Sequence, residues 1–393
     1  MKVLMFGWEF PPYHFGGLGT ACHGLVKGLS GNGIEVTFVL PRKGPKSRYA
    51  KIKSLEIPNV SIHEVSSPLT AYMTSSSYLE ILNKEKSAPL YGKNLFEEVY
   101  RYAMQARKLA KSESFDIIHA HDWMTYRAGM EAKRISGKPL VVHVHATEFD
   151  RTCGNPNQAV YELEREGFNA ADKIIAVSNF TKRKIVEHYG IDEKKVHVVH
   201  NAIDIEEEDF SKIRNSFPIV LFLGRITLQK GPDYFLYAAK KVLEKEKNVR
   251  FMIAGSGDMQ QFMIEKAAEL GIADKMLFAG FLRGNDIARA YKMADVYVMP
   301  SVSEPFGLTA LEAMSNHTPS IISKQSGVSE VIKHCLKVDF WDVHQLASKI
   351  VSVLRYQELQ KELMANGYNE VKRFNWQESA RKCLGVYHLA RGG

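Results

Sequence analysis

The sequence of 393 residues is 45% hydrophobic and 24% charged, as in globular proteins, and its length predicts two or three domains at about one per 150 residues. Its formal net charge of +8 favours anionic ligands or a peripheral contact with an acidic membrane, but no run of Lys and Arg forms a nucleic-acid-binding arm. No apolar stretch is long enough to span a membrane, and the 4 cysteines form no C-x-x-C pair, which together predict a cytoplasmic protein.

Short apolar runs alternate with helical segments in the first half of the chain, which predicts a parallel α/β sheet. Most of the runs are continuously apolar, as expected of strands covered on both faces. The helical segments include 21–29 and the apolar-striped 96–109, whereas 70–93 is irregular and is interpreted as an excursion. The predicted strands are 3–6, 36–40, 116–120, 140–145, 173–177 and 196–199.

A polar, acidic segment at 200–212 interrupts this pattern and predicts a domain boundary. A second α/β series then follows, and a terminal helix is expected at 376–391. Because open parallel sheets bind ligands at the carboxyl ends of their strands, both domains are expected to direct loops into a cleft between them. The strands predicted in the second series are 219–223, 250–254, 277–279, 296–299, 320–322 and 336–338.

A glycine-containing loop with Gly16 and Gly17 follows the first strand and suits a phosphate at a helix amino terminus. The dinucleotide pattern G-x-G-x-x-G fails, because its third glycine falls on Cys22 and no acid follows the second strand. Nicotinamide binding is therefore disfavoured. A purely structural turn is the alternative interpretation.

Histidines end two neighbouring strands, with His119, His121 and Asp122 after one and His143 and His145 after the other. Alternation along a strand turns each His-x-His pair to one face, so a metal site with Asp122 as a further ligand is one interpretation. The favoured interpretation is that imidazole and carboxylate groups hold sugar hydroxyls and stabilise positive charge at an anomeric carbon. Ordinary packing is the third.

Cations and a glycine turn follow the first strands of the second half. Arg225 and Lys230 offer a planar fork and a compact charge, which suit a diphosphate, although such cations are often only solvent-facing. The turn at Gly255 repeats the phosphate-compatible pattern.

The most specific stretch places Glu304 before a helix and Glu312 inside it. With the helix beginning near Gly307, the amides of Gly307, Leu308 and Thr309 are expected to bind phosphate. One carboxylate can then accept from sugar hydroxyls and the other from ribose hydroxyls. The alternative is that both glutamates only cap or decorate the helix.

Together these motifs resemble retaining glycosyltransferases of the GT-B fold, in the glycogen-synthase and family-four group, over nearly the whole chain. The resemblance implies an α/β fold of two Rossmann-like domains facing a central cleft. Residues 1–200 would form the acceptor-side domain and 201–375 the nucleotide-sugar domain. Residues 376–393 would form a helix that crosses back to the first domain.

The resemblance also implies roles at the donor site. Arg225 and Lys230 would neutralise the diphosphate, Glu304 would hold the donor sugar and Glu312 the ribose. The segment 280–291, with Leu282, would cradle the base. Departures at 316–319 and at Ser326-Gly327, where the family often has other residues, affect backbone fit more than chemistry.

In the first domain, the resemblance implies that the Gly16–Gly17 loop gives an amide to the diphosphate. His145 would lie beside the transferred sugar, and Asp122 would face sugar or acceptor. The sequence predicts no cofactor and no metal, since no Asp-x-Asp is present and the two cations would serve the leaving group. It makes no prediction of oligomeric state.

The stretch 8–12 and the His119–Trp123 motif are similar to glycogen and starch synthases. They favour glucose transfer from a UDP-, ADP- or GDP-sugar to an α-glucan. The alternative is a mannosyl- or other hexosyltransferase acting on a lipid, small-molecule or cell-surface polysaccharide acceptor. More distant rivals are a sugar-nucleotide epimerase, a phosphorylase, a metal hydrolase and a non-catalytic sensor of sugar nucleotides.

Overall fold

The computed structural model describes residues 1–10, 16–42, 60–66, 95–205 and 212–392, so the predicted excursion at 70–93 lies outside the described residues. The chain divides into two compact units. Unit 1 comprises Met1–Glu148, Asn157–Ala202 and Asn375–Gly393, and unit 2 comprises Phe149–Pro156 and Ile203–Phe374. The short segment Phe149–Pro156, which the sequence placed in the first domain, therefore groups with the second.

Unit 1 contains a parallel sheet of seven strands among its described residues, in the order β3-β2-β1-β4-β5-β6-β7. The inner strands β4 and β5 are buried at every position, which is why they are continuously apolar apart from the histidines. The strands are β1 Lys2–Phe6, β2 Glu35–Arg42, β3 Val60–Ser66, β4 Ile117–His121, β5 Leu140–Val144, β6 Lys173–Ala176 and β7 Val196–Val198.

Strand β3 was not predicted. Its sequence has polar residues at Ser61, His63, Glu64 and Ser66, so it forms no continuous apolar run. Among the described residues it pairs with β2 alone, and such an edge strand needs less apolar surface than an inner one. Its pairing therefore comes from the neighbouring strand and not from a local signal.

The described helices of unit 1 begin and end at recognisable signals. Ser178 caps the helix Asn179–Tyr189 through its hydroxyl, and Gly190 ends that helix in the left-handed conformation with φ 67°. The helices are α1 Gly17–Gly31, α2 Leu95–Ser112, α3 Trp123–Ser136, the short α4 Glu148–Arg151 (whose last residues belong to unit 2), α5 Gln158–Ala170 and α6 Asn179–Tyr189.

Unit 2 holds a second parallel sheet, of six strands within the part of the chain that is described, in the order β10-β9-β8-β11-β12-β13. The strands are β8 Ile219–Leu223, β9 Arg250–Ala254, β10 Met276–Gly280, β11 Val296–Met299, β12 Ser320–Ser323 and β13 Leu336–Val338. The helices are α7 Pro232–Lys245, α8 Gln260–Glu269, α9 Asn285–Met293, α10 Leu308–Ser315, α11 Val343–Arg355 and α12 Gln357–Val371.

The core of unit 2 forms where α7 and α11 cover one face of this sheet. Phe235, Val242 and Ile350 are fully buried there, together with Phe251 of β9. Burying each such side chain contributes about 1.5–3 kcal/mol, so the sheet is a rigid base for the loops at its strand ends.

Each sheet has one position where the strand order reverses along the chain. It lies between β1 and β4 in unit 1 and between β8 and β11 in unit 2. In open parallel sheets, the loops after such a pair of strands diverge, and ligands commonly bind there. All of the strongest sequence motifs lie in these loops or in the loop after β5.

The terminal helix, α13 Trp376–Ala390, packs against α1, which confirms the prediction that it crosses back onto the first domain. A Cβ at Gly24 of α1 would lie 2.0 Å from the Trp376 ring, and one at Gly28 would lie 2.3 Å from the Trp376 carbonyl oxygen. Trp376 therefore fills a slot that only glycine leaves open. Within the described residues, no helix combines the length and apolarity that crossing a bilayer requires.

Candidate functional site

The loop after β8 carries the predicted phosphate cations. Arg225 follows Gly224, and Lys230 ends the single helical turn Leu228–Lys230. Gly231 then adopts φ 62°, and a Cβ there would lie 2.3 Å from the carbonyl oxygen of Pro300. The glycine thus lets this loop approach the loop that follows β11.

Lys230 and Glu304 form an ion pair, with 2.5 Å between Nζ and Oε2. The hydroxyl of Ser301 donates to the same carboxylate oxygen at 3.2 Å. Glu304 is buried, so an isolated charge would be costly there, and both contacts offset that cost. Since an ammonium group has three donors, Lys230 can keep this pair and still bind a phosphate oxygen.

Arg225 is held by a residue that the sequence motifs did not include. Its Nη2 donates to Oε1 of Gln229 at 3.0 Å, and Nε2 of Gln229 donates to the carbonyl of Ser303 at 3.0 Å. Ser303 in turn donates its hydroxyl to Asp150 at 2.6 Å. Arg225, Lys230 and Glu304 are therefore brought together at one edge of the unit 2 sheet.

The helix after Glu304 begins at Leu308, which agrees with the predicted start near Gly307. Gly307 is its N-cap with φ 111°, and no side chain caps the helix there. A Cβ at Gly307 would contact Val328 and Met299, so the glycine also serves packing. Leu308 is buried and Thr309 half-buried, and the predicted role of their amides in phosphate binding stays a prediction.

Glu312 lies in the second turn of this helix and accepts a hydrogen bond from the hydroxyl of Tyr291 at 3.1 Å. The same hydroxyl lies 3.2 Å from the carbonyl of Thr309, so Tyr291 ties the carboxylate to the first helical turn. Burial raises the pKa of the Glu312 carboxyl, and the bond from Tyr291 acts in the opposite direction.

Gly255 and Leu282 have different surroundings. A Cβ at Gly255 would overlap the carbonyl oxygen of Gly224 at 1.8 Å, so this glycine is required for the two turns to pack together. Leu282 is half-buried in the loop between β10 and α9, beside the exposed Phe281. Arg283 lies over the Phe281 ring, 5.3 Å from its centroid. Their predicted contacts with the donor stay predictions.

In unit 1, the predicted helix at 21–29 begins earlier, at Gly17, with Gly16 as its N-cap. Glu9, which is buried, accepts from the amide of Gly19 at 3.0 Å and so satisfies one donor of the first turn. This bond from outside the helix explains the earlier start. Gly17 is exposed, and residues 11–15 of the loop lie outside the described residues.

Asp122 is buried after β4 and has φ 57°, a region that costs about 1–3 kcal/mol for residues other than glycine. Its Oδ1 accepts from the amides of His145 at 2.7 Å and Ala146 at 3.4 Å. The carboxylate thus fixes the backbone beyond β5 where His145 projects. A contact between Asp122 and sugar or acceptor stays a prediction.

Four histidines form a stack at these strand ends. Ring centroids lie 4.3 Å apart for His119–His121 and 4.4 Å for His143–His145, and His121 Nδ1 lies 2.9 Å from His145 Nε2. The hydroxyl of Tyr387 lies 2.6 Å from His119 Nδ1. The two His-x-His pairs, which the sequence places on neighbouring strands, therefore form one cluster.

The deepest members of this stack are uncharged imidazoles at neutral pH. Burial lowers the pKa of His119 to about 3, and burial together with the neighbouring histidines lowers the pKa of His121 and His143 well below the usual range. Their charge thus stays constant across physiological pH.

Two overlapping groups in this cluster have ligand atoms close enough to hold a metal: His119, His121 and His143, and Cys22, His121 and His145. However, the nearest rings are stacked, with interplanar angles of 3° to 28°. Lone pairs lie in the ring plane, so stacked rings direct them side by side and not at one point. This geometry disfavours the metal interpretation.

Sequence reasoning missed Gln229, Ser303, Asp150 and Glu9, and it grouped Tyr291 only with the base-cradling segment. A buried polar side chain requires a partner, but the sequence does not show burial at these positions. The one local signal was the position of Gln229 between the two predicted phosphate cations, Arg225 and Lys230.

Two family descriptions together match nearly the whole described chain. Residues 15–207 match Glycosyltransferase Family 4, and residues 204–370 match Glycosyl transferases group 1. An uncharacterized glycosyltransferase of Methanocaldococcus jannaschii is 31% identical, covering 99% of this chain and 98% of its own. Glycogen synthase of Mycobacterium tuberculosis is 26% identical, covering 100% and 96%.

Among solved structures, the sucrose-phosphate synthase from Thermosynechococcus elongatus superposes with a TM-score of 0.81. The match covers 99% of this chain and 98% of that one, at 19% sequence identity. At this identity the likeness concerns the fold alone, and it confirms the predicted GT-B fold.

Proposed function

We propose that this chain, which belongs to glycosyltransferase family 4 and transfers a sugar from a nucleotide sugar, is a retaining, metal-independent hexosyltransferase that moves glucose onto an α-glucan. The observation that carries the proposal is the array of Arg225, Lys230 and Glu304 at one sheet edge. Two cations beside a buried carboxylate match a donor with a diphosphate and a sugar. The full-length similarity to a glycogen synthase supports the glucan acceptor.

In the proposed donor complex, Arg225 and Lys230 bind the diphosphate oxygens. Glu304 accepts from sugar hydroxyls and Glu312 from ribose hydroxyls, while the exposed Gly17 amide adds a donor to the diphosphate. The segment with Leu282 contacts the base. His145 lies beside the transferred sugar, oriented by the bonds of Asp122 to its backbone.

The proposed chemistry uses these groups for charge stabilisation. As the bond between the anomeric carbon and the diphosphate oxygen breaks, negative charge grows on the diphosphate, next to Arg225 and Lys230. The acceptor oxygen bonds the anomeric carbon on the same face, and its proton passes to the departing diphosphate. The two cations thus stabilise the leaving group that a metal ion serves in other transferases.

The test is a donor and acceptor screen with the purified protein. UDP-, ADP- and GDP-glucose and GDP-mannose are each incubated with and without glycogen or maltooligosaccharides, and nucleotide release and product linkage are measured. We expect release from a glucose donor, stimulated by glucan, with an α-linked product by NMR.

Other outcomes identify the rivals. A β-linked product would contradict retention. An epimerised sugar nucleotide formed from donor alone would indicate an epimerase. Release from GDP-mannose without stimulation by glucan would favour the mannosyltransferase alternative.

A further inference from the structure

Gln229 lies between the two cations of the donor loop, yet it is 3% exposed, whereas its neighbour Leu228 is 52% exposed. A single helical turn thus turns one side chain outward and the next inward. A buried primary amide costs stability unless its hydrogen bonds are made. The partners of Gln229 therefore show what this turn is built to hold.

The amide orientation of Gln229 follows from its two partners. A guanidinium only donates, so the Arg225 Nη2 at 3.0 Å must face the amide oxygen. A carbonyl only accepts, so the Ser303 oxygen at 3.0 Å must face the amide nitrogen. A flipped amide would oppose donor to donor and acceptor to acceptor.

The backbone of Gln229 joins the same two loops. Its carbonyl accepts from the amide of Val302 at 3.0 Å and from that of Ser303 at 3.4 Å. Gln229 therefore contacts Ser303 from both its main chain and its side chain. Ser303 is the residue before Glu304, and Asp150 holds its hydroxyl.

We infer that Gln229 is a positioning residue for sugar transfer: it fixes the Arg225 guanidinium and the Ser303–Glu304 backbone relative to each other. The inference rests on the proposed function of Arg225 and Glu304. A guanidinium has five N–H groups, so its bond to Gln229 is compatible with phosphate binding. Gln229 itself does not need to touch the donor.

This role predicts a particular kinetic change in Gln229→Met, which keeps the volume and removes both hydrogen bonds. Small errors in the position of charge-stabilising groups cost more in the transition state than in the ground state. We expect kcat to fall about tenfold or more, with the donor dissociation constant rising less than about threefold.

Gln229→Glu separates the two bonds. Its carboxylate still accepts from Arg225 but faces the Ser303 carbonyl with an oxygen, so we expect activity between that of wild type and of Gln229→Met. The matched control is Gln360→Met, which removes a half-buried amide that donates to the Asp295 carbonyl at 3.4 Å, away from both loops. We expect it to keep wild-type kcat.

A double-mutant cycle distinguishes positioning from a general structural role. If Gln229 acts through Arg225, Gln229→Met will reduce kcat much less in an Arg225→Ala background than in wild type. Thermal unfolding and the stoichiometry of donor binding report the folded, competent fraction of each variant. Equal losses of kcat in both backgrounds, or a loss explained by the unfolded fraction, would overturn the inference.

The outcomes also separate this inference from the proposed function. A wild-type protein that neither binds nor turns over any nucleotide sugar would overturn both. A wild-type protein that turns over donor, together with a Gln229→Met variant of unchanged kcat, would overturn only the positioning role.

Discussion

At the scale of single residues, each proposed donor-binding group is held by another side chain. Lys230, itself a motif residue, pairs with Glu304, whereas Tyr291 holds Glu312 and Gln229 holds Arg225. Preorganised charge of this kind costs no rearrangement during a reaction. In the proposed reaction the motif residues supply the chemistry, and these contacts supply the geometry.

If Glu312 holds the ribose as proposed, donor binding should depend on pH. Burial raises its pKa, so on acidification it protonates at a higher pH than an ordinary glutamate, near 4.3, would. The carboxylate is the better acceptor for ribose hydroxyls, so donor affinity should fall as the pH decreases through this raised pKa. The stability of the fold has the opposite pH dependence. The stability that Glu312 contributes is present at low pH and is lost as the pH rises through the raised pKa of the folded protein.

The measurement is the donor dissociation constant of wild type and Glu312→Gln, from neutral pH down to the lowest pH at which both proteins stay folded. Wild type should bind more weakly at the acidic end, whereas the glutamine variant should bind weakly and evenly. Equal slopes for both proteins would contradict the assignment of Glu312 to the ribose.

At the scale of elements, α1 and the terminal helix α13 are joined by the slot that Trp376 fills. Gly24→Ala places a Cβ 2.0 Å from the Trp376 ring, so we expect a loss of about 1–3 kcal/mol in the free energy of unfolding. Gly31→Ala is the control, because Gly31 lies in the same helix and a Cβ there would have nothing within 4 Å. Denaturant unfolding checks both, and equal stabilities would show that the two helices do not depend on this slot.

Most elements could be predicted because their signals are local. The strands β8, β9, β11 and β13 have their predicted bounds, since each is a short and mostly apolar run. Strand β3 and the early start of α1 could not be predicted, because one depends on pairing with β2 and the other on a bond from Glu9. Both are tertiary effects.

The same division holds for the site. Arg225, Lys230, Glu304 and Glu312 could be identified from residue type and spacing after strands. The bond of Gln229 to Ser303 joins residues 74 positions apart, and that of Tyr291 to Glu312 joins residues 21 apart. Such pairings depend on how the loops after β8 and β11 meet, which spacing alone does not specify.

At the scale of the whole molecule, two parallel sheets each present functional loops where their strand order reverses. Unit 2 carries the cations and carboxylates proposed for the donor, and unit 1 carries the histidine stack with His145. Because these cations are proposed to stabilise the leaving diphosphate, we expect donor turnover to need no metal ion.

Chelation tests that claim. Dialysis against a strong chelator should leave donor turnover within about twofold of the untreated enzyme, because Arg225 and Lys230 stabilise the leaving diphosphate. Elemental analysis of the treated protein is the control for complete removal. A loss of turnover that added zinc or magnesium restores would contradict the account, and stoichiometric zinc in the purified protein would revive the metal interpretation of the histidine cluster.

The proposed binding of the donor diphosphate by Lys230 is tested most directly by calorimetry. The preferred nucleotide sugar is titrated into wild type, Lys230→Met and the control Lys324→Met. Lys324 also pairs with a carboxylate, Asp339, at 2.8 Å, but on the exposed surface of the same unit. We expect Lys230→Met to weaken donor binding about ten- to hundredfold, as expected for a charge-assisted hydrogen bond, while Lys324→Met binds like wild type. Unchanged donor affinity in a folded Lys230→Met protein would contradict the proposed binding.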